Sequence, residues 1–151
     1  VVQANFKTFT DICTTWNVIT DYENLHSFLP KIVKSEVLND LGNQKVVSQV
    51  FKEDFLFLDF YLESEFIINE YPKKRKIVVK QISGDLQNYK ASWDLVKKEN
   101  GSIVKIFAKI TPTKFQSLLF SNRKVFEQFG IMIDSLKKKL NKIEIQDDCK
   151  Y

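Results

Sequence analysis

The sequence predicts an α+β domain with one strand, two short helices, six antiparallel strands and a long C-terminal helix, in that order. Three patterns support this prediction. Apolar and polar residues alternate for about eighty residues after Pro30, which is typical of consecutive antiparallel strands. From Ser121 the apolar period becomes 3.6 residues, and a broken helical segment separates the first strand from the others.

The N-terminal elements follow from residue spacing. Residues 1–9 alternate as a strand does, and the first helical stripe is formed by Ile12, Trp16 and Ile19. Asp21 is a residue type that favours helix N-caps, and apolar residues recur at helical spacing after it. Pro30 disfavours helical geometry at the preceding residue, so we expect the second helix to end there.

The six following strands are expected at 32–39, 44–52, 58–66, 76–83, 86–97 and 104–110. We expect turns at 41–43, 71–74, 84–85 and 99–101, and a longer connection around 53–57. Asn100-Gly101 is the strongest hairpin signal in the chain. The alternation is clearest in 58–66, where the even positions are predicted to face inward.

The last predicted element is an amphipathic helix that begins near Ser121 or Asn122, either of which can cap it. Its apolar stripe consists of Val125, Phe129, Met132, Ile133, Leu136, Leu140 and Ile143. Three lysines at 137–139 suit the negative C-terminal end of a helix. No linker or repeat divides the chain, so we expect one domain over 1–151, with a polar tail from about 144.

Composition excludes several classes of protein. The net charge of +4 is modest and the lysines are scattered, without base-stacking motifs, so nucleic-acid binding is not expected. Peripheral attraction to anionic lipid head groups suits the charge better. No cluster of residues has metal-ligand spacing, and we expect neither a metal nor a cofactor. Cys13 and Cys149 form no disulfide framework, so two free thiols are expected.

Compartment and assembly are weakly constrained. The chain begins at Val1 without an initiator Met, so residues that preceded it would decide the compartment. Cytoplasmic is the default expectation, and periplasmic or secreted is the alternative if a signal peptide preceded Val1. A monomer is the default for the oligomeric state.

Two segments carry a family resemblance. Residues 16–35 contain the pattern W…TDYENL…FLP…S, and residues 84–95 contain GD…Y…W.L. Both resemble the START/Bet v 1-like (SRPBCC) superfamily, especially its polyketide cyclase/dehydrase and coenzyme Q-binding-protein-like branch. The resemblance implies a helix-grip fold, in which a curved seven-stranded antiparallel sheet wraps around the C-terminal helix and leaves a cavity between them.

Combining that fold with the alternation gives a predicted cavity lining. Its members are Val33, Ser35, Val37, Phe60, Leu62, Phe66, Tyr89, Trp93, Ile106, Ala108, Phe126, Phe129 and Ile133. Gly130 would leave room beside the helix residues. Polar groups to orient a ligand would come from Ser35, Ser64, Tyr89 and Trp93. The residues of the short helices, Trp16, Tyr22 and Phe28, are predicted to form a lid.

These residues favour a non-enzymatic carrier or sensor of a hydrophobic small molecule such as a lipid, quinone or polyketide-like compound. No catalytic residue is predicted, because His26 is expected at the surface and Asp85 in a turn. One alternative is an aromatase/cyclase-type enzyme that uses the same cavity, which would require an ionisable group with a shifted pKa facing inward. The other is a protein or membrane interaction module, which would require a filled core and a large apolar surface patch.

Overall fold

The computed structural model describes residues 1–119 and 121–144. Three α-helices are present: α1 (Ile12–Ile19), α2 (Lys114–Leu119) and α3 (Asn122–Lys142), with 3₁₀ helices at Tyr22–Ser27 and Pro72–Lys74. The strands are β1 (Val2–Thr8), β2 (Ile32–Asp40), β3 (Gln44–Phe55), β4 (Leu58–Tyr71), β5 (Lys76–Gly84), β6 (Asn88–Lys98) and β7 (Gly101–Thr111).

The seven strands form one antiparallel sheet in the order β1-β7-β6-β5-β4-β3-β2. Each strand from β2 to β7 pairs with its neighbour in sequence, and β1 closes the order beside β7. With α3 across its concave face and the short helices between β1 and β2, the sheet forms the predicted helix-grip fold. The predicted fold class is therefore confirmed.

One end of the sheet is closed by α1 and the 3₁₀ helix that follows it. Trp16 is 1% exposed and belongs to the buried core together with Leu136 and Leu140 of α3. The hydroxyl of Thr10 donates to the carbonyl oxygen of Leu140 at 3.0 Å, which ties the start of α1 to the end of α3. We call this region the closed end.

Two aspartates lie at the N-caps of the short helices at the closed end, but only one of them makes a side-chain cap bond. Asp11 caps α1, since its Oδ1 accepts from the backbone N–H of Thr14 at 2.9 Å. The side chain of Asp21 makes no such cap bond, and its carboxylate accepts instead from the side-chain amide of Asn24. Asp21 lies at the N-cap position as predicted, but the helix that follows is a tight 3₁₀ helix, and the expected bond from a backbone N–H to its carboxylate is not made.

At the opposite end the sheet narrows to a single hairpin. The pairing of β4 with β5 stops at Ser64 and Gly84, and that of β2 with β3 stops at Ile32 and Phe51. Beyond these pairs β3 and β4 continue alone, among the strands that the structure describes, to a two-residue turn. We call residues 53–63 the hairpin arm.

Three local expectations are corrected. The predicted connection at 53–57 is strand except for the two turn residues Leu56 and Phe57, and the short helix α2 was not expected. Cys13 is disulfide-bonded, so the free thiol predicted there is wrong, since sequence separation says little about distance in space. Cys149 and the predicted tail from 145 onward lie outside the described residues. Within the described part, no helix is long and apolar enough to cross a bilayer.

The narrowing of the sheet leads to a test at Gly84. Its φ is +132°, and a Cβ there would overlap the carbonyl oxygen of Glu63 and lie 2.6 Å from Ser64 Oγ. We therefore expect Gly84→Ala to destabilise the fold by about 2 kcal/mol or more in urea unfolding. Gly130→Ala is the matched control, because a Cβ at this α3 position meets no described atom within 4 Å. That change should stabilise by about 0.5–1 kcal/mol. Equal effects of both would contradict this account of Gly84.

Candidate functional site

The concave face of the sheet carries a chain of aromatic rings. Phe51 of β3 meets Phe66 of β4 edge-on, with centroids 6.3 Å apart, and Phe66 meets Tyr89 of β6 at 5.4 Å. Burial raises the pKa of Tyr89 to about 12, so its hydroxyl stays protonated and neutral at physiological pH. Trp93 lies on the same face, paired across the sheet with Ile77 and Ile106.

A row of polar side chains crosses the same face next to the aromatic chain. Ser35, Gln49 and Ser64 are directly opposite one another on β2, β3 and β4, and all three are buried. Gln49 Nε2 donates to Ser35 Oγ at 3.1 Å. We call these three residues the polar row. It is the neutral polar element of a mostly apolar wall.

The helix covers this wall unevenly. Of the residues of α3, Leu136 and Leu140 in its C-terminal half are buried, and Phe129, Met132 and Ile133 pack against the core from a half-buried position. Toward the hairpin arm the cover is thinner, since the inward residues Phe51, Phe60 and Leu62 are only half-buried. The cover that α3 gives to the concave face therefore decreases away from the closed end.

A charged cluster lies at the base of the arm. Glu53 points to the concave face, because it is opposite Phe60 in the same register that turns Phe66 inward. Lys31 Nζ lies 4.0 Å from Glu53 Oε2 and 3.2 Å from Asp54 Oδ2, and Lys124 of α3 donates to the backbone carbonyl of Asp54. Burial raises the pKa of Glu53, an effect that Lys31 and Lys124 oppose.

The tip of the arm is apolar and exposed. Leu56 and Phe57 form its turn with φ of +47° and +71°, the signs that a type I′ hairpin turn requires. Such values are unusual for large side chains, which adopt them at a cost in energy. The side chain of Phe57 is fully exposed. Leu58, the residue after the turn, is also exposed. Other exposed apolar side chains are Phe115 and Leu118 of α2 and Phe126 of α3.

Most of the predicted cavity residues lie on the concave side. Those that are buried or packed against the core are Ser35, Val37, Phe66, Tyr89, Trp93, Ile106, Ala108, Phe129 and Ile133. Phe60 and Leu62 also face inward and are half-buried. Their role in holding a ligand stays a prediction.

Two predicted placements are wrong. Val33 is 43% exposed, because a bulge between Ile32 and Lys34 makes it an extra residue in β2 and shifts the alternation. Phe126 is 54% exposed and lies beside the apolar stripe of α3, one position after Val125. Gly130 is also exposed, so it does not widen the inner space.

The predicted lid residues lie at the closed end. Trp16 and Tyr22 are buried in the core, and Phe28 packs against it. The hydroxyl of Tyr22 donates to Glu70 Oε1 at 2.8 Å, which fastens the 3₁₀ helix to β4. A gating role for these residues stays a prediction. The end of the concave face that α3 covers less is the one at the hairpin arm.

Two pockets of about 230 Å3 each accompany this arrangement. The first lies between the short helices and the end of α3, lined by Asn17, Val18, Asp21, Asn24, Phe28, Lys139 and Ile143. The second lies where β4 and β5 separate, lined by Glu63, Ser64, Glu65, Ser83, Gly84 and Asp85. None of the thirteen predicted cavity residues lines either of these two.

The sequence matches a family model described as polyketide cyclase / dehydrase and lipid transport over residues 11–129. The chain belongs to this family. The resemblance seen in the two sequence segments is thereby confirmed. No curated protein sequence matches the chain.

Solved structures with the same fold include members with different activities. A protein of Thermus thermophilus superposes with a TM-score of 0.74 at 16% identity, covering 93% of this chain and 96% of that one. The STAR-related lipid transfer protein of Xanthomonas axonopodis gives 0.71 at 14%, covering 93% and 85%. The Zhui aromatase/cyclase from Streptomyces sp. R1128 gives 0.69 at 12%, covering 93% and 92%. At identities this low, the superpositions show the shared fold alone.

The inward face of β3 is not evident from the sequence. Gln49, Phe51 and Glu53 all face inward, but residues 44–55 alternate less clearly than 58–66, so their pattern predicts no facing. Pairing β3 with the well-defined β4 across the short 55–58 connection would have revealed it. The predicted turn at Asp85 is supported, because its carboxylate accepts from the backbone N–H of Glu63 at 2.7 Å.

The environment of Glu53 predicts a pH dependence. Because burial raises its pKa, the folded protein favours the protonated form, and the stability due to that proton is lost as the pH rises through the raised pKa. Glu53→Gln should therefore stabilise the protein more at pH 7 than at pH 4, measured by urea unfolding. The control is Glu63→Gln, at an exposed position on the outward face. An unchanged difference between the two pH values would contradict the assignment.

Proposed function

We propose that this protein binds a hydrophobic small molecule of the lipid, quinone or polyketide-like kind. The ligand would lie between the concave face and the N-terminal half of α3, a region that we call the groove. The observation that carries the proposal is the uneven cover of that face. Phe51, Phe60 and Leu62 point inward yet are only half-buried, so apolar surface remains there for a ligand to cover. Membership of a family that includes lipid transport supports the same function.

Binding is tested with the neutral fluorescent probe N-phenyl-1-naphthylamine. Leu62→Glu would place a charge in the groove and remove apolar contact, so we expect at least a ~tenfold rise in the probe Kd, since a buried leucine side chain contributes about 1.5–3 kcal/mol. Tyr61→Glu is the matched control, because Tyr61 is the adjacent residue on the exposed outward face. Fluorescence titration gives both constants.

Two outcomes would contradict the proposal. One is a wild-type protein that does not bind the probe and carries no small molecule in native mass spectrometry. The other is an equal loss of affinity in Leu62→Glu and Tyr61→Glu, which would place the probe outside the groove.

We further propose that the exposed tip of the hairpin arm contacts a lipid bilayer. Phe57 is fully exposed on a protruding turn, and Leu56 and Leu58 flank it with most of their surface in solvent. A two-residue tip offers far less area than the ~800 Å2 per partner of an ordinary protein interface, whereas a bilayer needs only local insertion. The tip adjoins the end of the groove that α3 covers less, where Phe60 and Leu62 are half-buried. A ligand that leaves the bilayer would therefore meet this end of the groove first.

The turn chemistry gives a sharp test of membrane contact. Replacing Leu56→Asn together with Phe57→Gly supplies the residues that type I′ turns prefer, so stability should rise by about 1–2 kcal/mol. Binding to vesicles of phosphatidylcholine and phosphatidylglycerol should be lost, as measured by flotation. Leu41→Asn is the control, because Leu41 is an exposed apolar residue in a turn near the closed end. Undiminished flotation of the double variant would refute the contact.

A second candidate function is a cyclase-type enzyme in the same groove. One observation favours it: Glu53 is an ionisable group on the concave face with a pKa raised by burial, which is the feature that general acid catalysis requires. The Zhui aromatase/cyclase shows that the fold is compatible with such chemistry. We rank the carrier first, because Glu53 lies against Lys31 at the base of the arm and not in the aromatic wall.

A further inference from the structure

The polar row contains a buried hydroxyl without a partner. Ser64 is 1% exposed, and its Oγ makes no hydrogen bond among the residues that the structure describes. Leaving a polar group buried and unpaired costs free energy, so such groups in native proteins usually have a partner such as a water or a ligand. Among the described residues, the hydroxyl of Ser64 therefore stabilises the fold through no hydrogen bond.

A second unpaired polar atom belongs to the neighbouring strand β5. Gln81 is opposite Phe66, the next inward residue after Ser64, and a bulge separates this pair from the pair of Ser64 with Gly84. Its Nε2 donates to the carbonyl oxygen of Leu86 at 2.8 Å, which fixes the orientation of the amide. The buried Oε1 therefore remains as an acceptor, and it has no partner in the described part of the chain.

Room for a partner exists beside the serine. The second pocket, of about 230 Å3, lies where β4 and β5 separate and is lined by Ser64, Ser83 and Gly84 together with the acidic residues Glu63, Glu65 and Asp85; Gln81 lies outside its lining. Gly84 keeps this side open, since a Cβ there would lie 2.6 Å from Ser64 Oγ. The volume exceeds the ~30 Å3 share of a single water severalfold.

We propose that Ser64 and Gln81, with the polar row beside them, form the subsite for a hydroxyl group on the hydrophobic ligand, an inference that rests on the proposed function. A hydroxyl can donate to Gln81 Oε1 and accept from Ser64 Oγ, so it satisfies both unpaired atoms. A carbonyl can satisfy only the serine. An ionised carboxylate would meet the acceptor oxygen of Gln81, and the acidic residues Glu63, Glu65 and Asp85 line the pocket beside Ser64.

The test compares three naphthalene probes by calorimetric titration: 2-naphthol, the equally large 2-methylnaphthalene, and the slightly larger anion 2-naphthoate. We expect the wild-type protein to prefer 2-naphthol over the other two by ~tenfold, which is the range of one or two net hydrogen bonds. Ser64→Ala should remove most of that preference and leave the affinity for 2-methylnaphthalene unchanged. Its melting temperature should stay level or rise, because an unpaired buried hydroxyl is lost. Ser48→Ala, on the outward face of β3, is the matched control.

The outcomes separate the two proposals. If none of the three probes binds the wild-type protein, the proposed function fails together with the subsite. If 2-naphthol and 2-methylnaphthalene bind equally, or if Ser64→Ala leaves the preference intact, the groove binds apolar ligands but the hydroxyl subsite is refuted. A stronger affinity for 2-naphthoate than for 2-naphthol would also refute it. A fall in melting temperature with unchanged affinities would show that Ser64 has only a structural role.

Discussion

The packing of α3 on the sheet is the constraint on which the other features depend. A helix that crosses a curved sheet cannot contact it equally along its whole length, and here Leu136 and Leu140 concentrate the buried contact near the closed end. Thr10 binds the carbonyl of Leu140 and Tyr22 binds Glu70, so polar contacts reinforce the apolar ones in the same region. Toward its N-terminus α3 touches the arm through Lys124, which binds the carbonyl of Asp54. The C-terminal half of α3 therefore packs against the core, whereas its N-terminal half contacts the arm through a hydrogen bond.

This arrangement separates two kinds of side chain on one concave face. Near the closed end the face is filled by residues such as Val47 and Ile77, which are essentially inaccessible. Near the arm the inward residues are half-buried, and the unpaired atoms of Ser64 and Gln81 lie where β4 parts from β5. Buried polar atoms without partners are unfavourable to folding, so their position beside the open part of the groove is consistent with a role in binding.

The fold could be predicted from the sequence because its period changes from 2 to 3.6 at clear boundaries and because two segments carry a family resemblance. The side chains that point to the concave face can be predicted for β4, β6 and β7, because regular pairing preserves the alternation along these strands. The prediction is wrong at Val33, because a bulge inserts one residue and no sequence signal marks it. The weaker alternation of β3 does not predict which of its side chains face inward, and Gln49 and Glu53 are among those that do. Whether Trp16 and Tyr22 act as a lid or a plug depends on contacts such as Tyr22 with Glu70, which lie 48 positions apart.

Under the proposed function, the tightly packed residues and those that contact the ligand occupy different parts of the concave face, which affects how such a protein can diverge. Substitutions at the closed end act on a tightly filled core, where a lost methylene costs about 1 kcal/mol. Substitutions along the arm, at half-buried positions such as Phe60 and Leu62, alter the wall of the groove without opening a void in that core. Descendants of one ancestral chain can therefore exchange one ligand for another while the thermodynamic stability of the domain hardly changes.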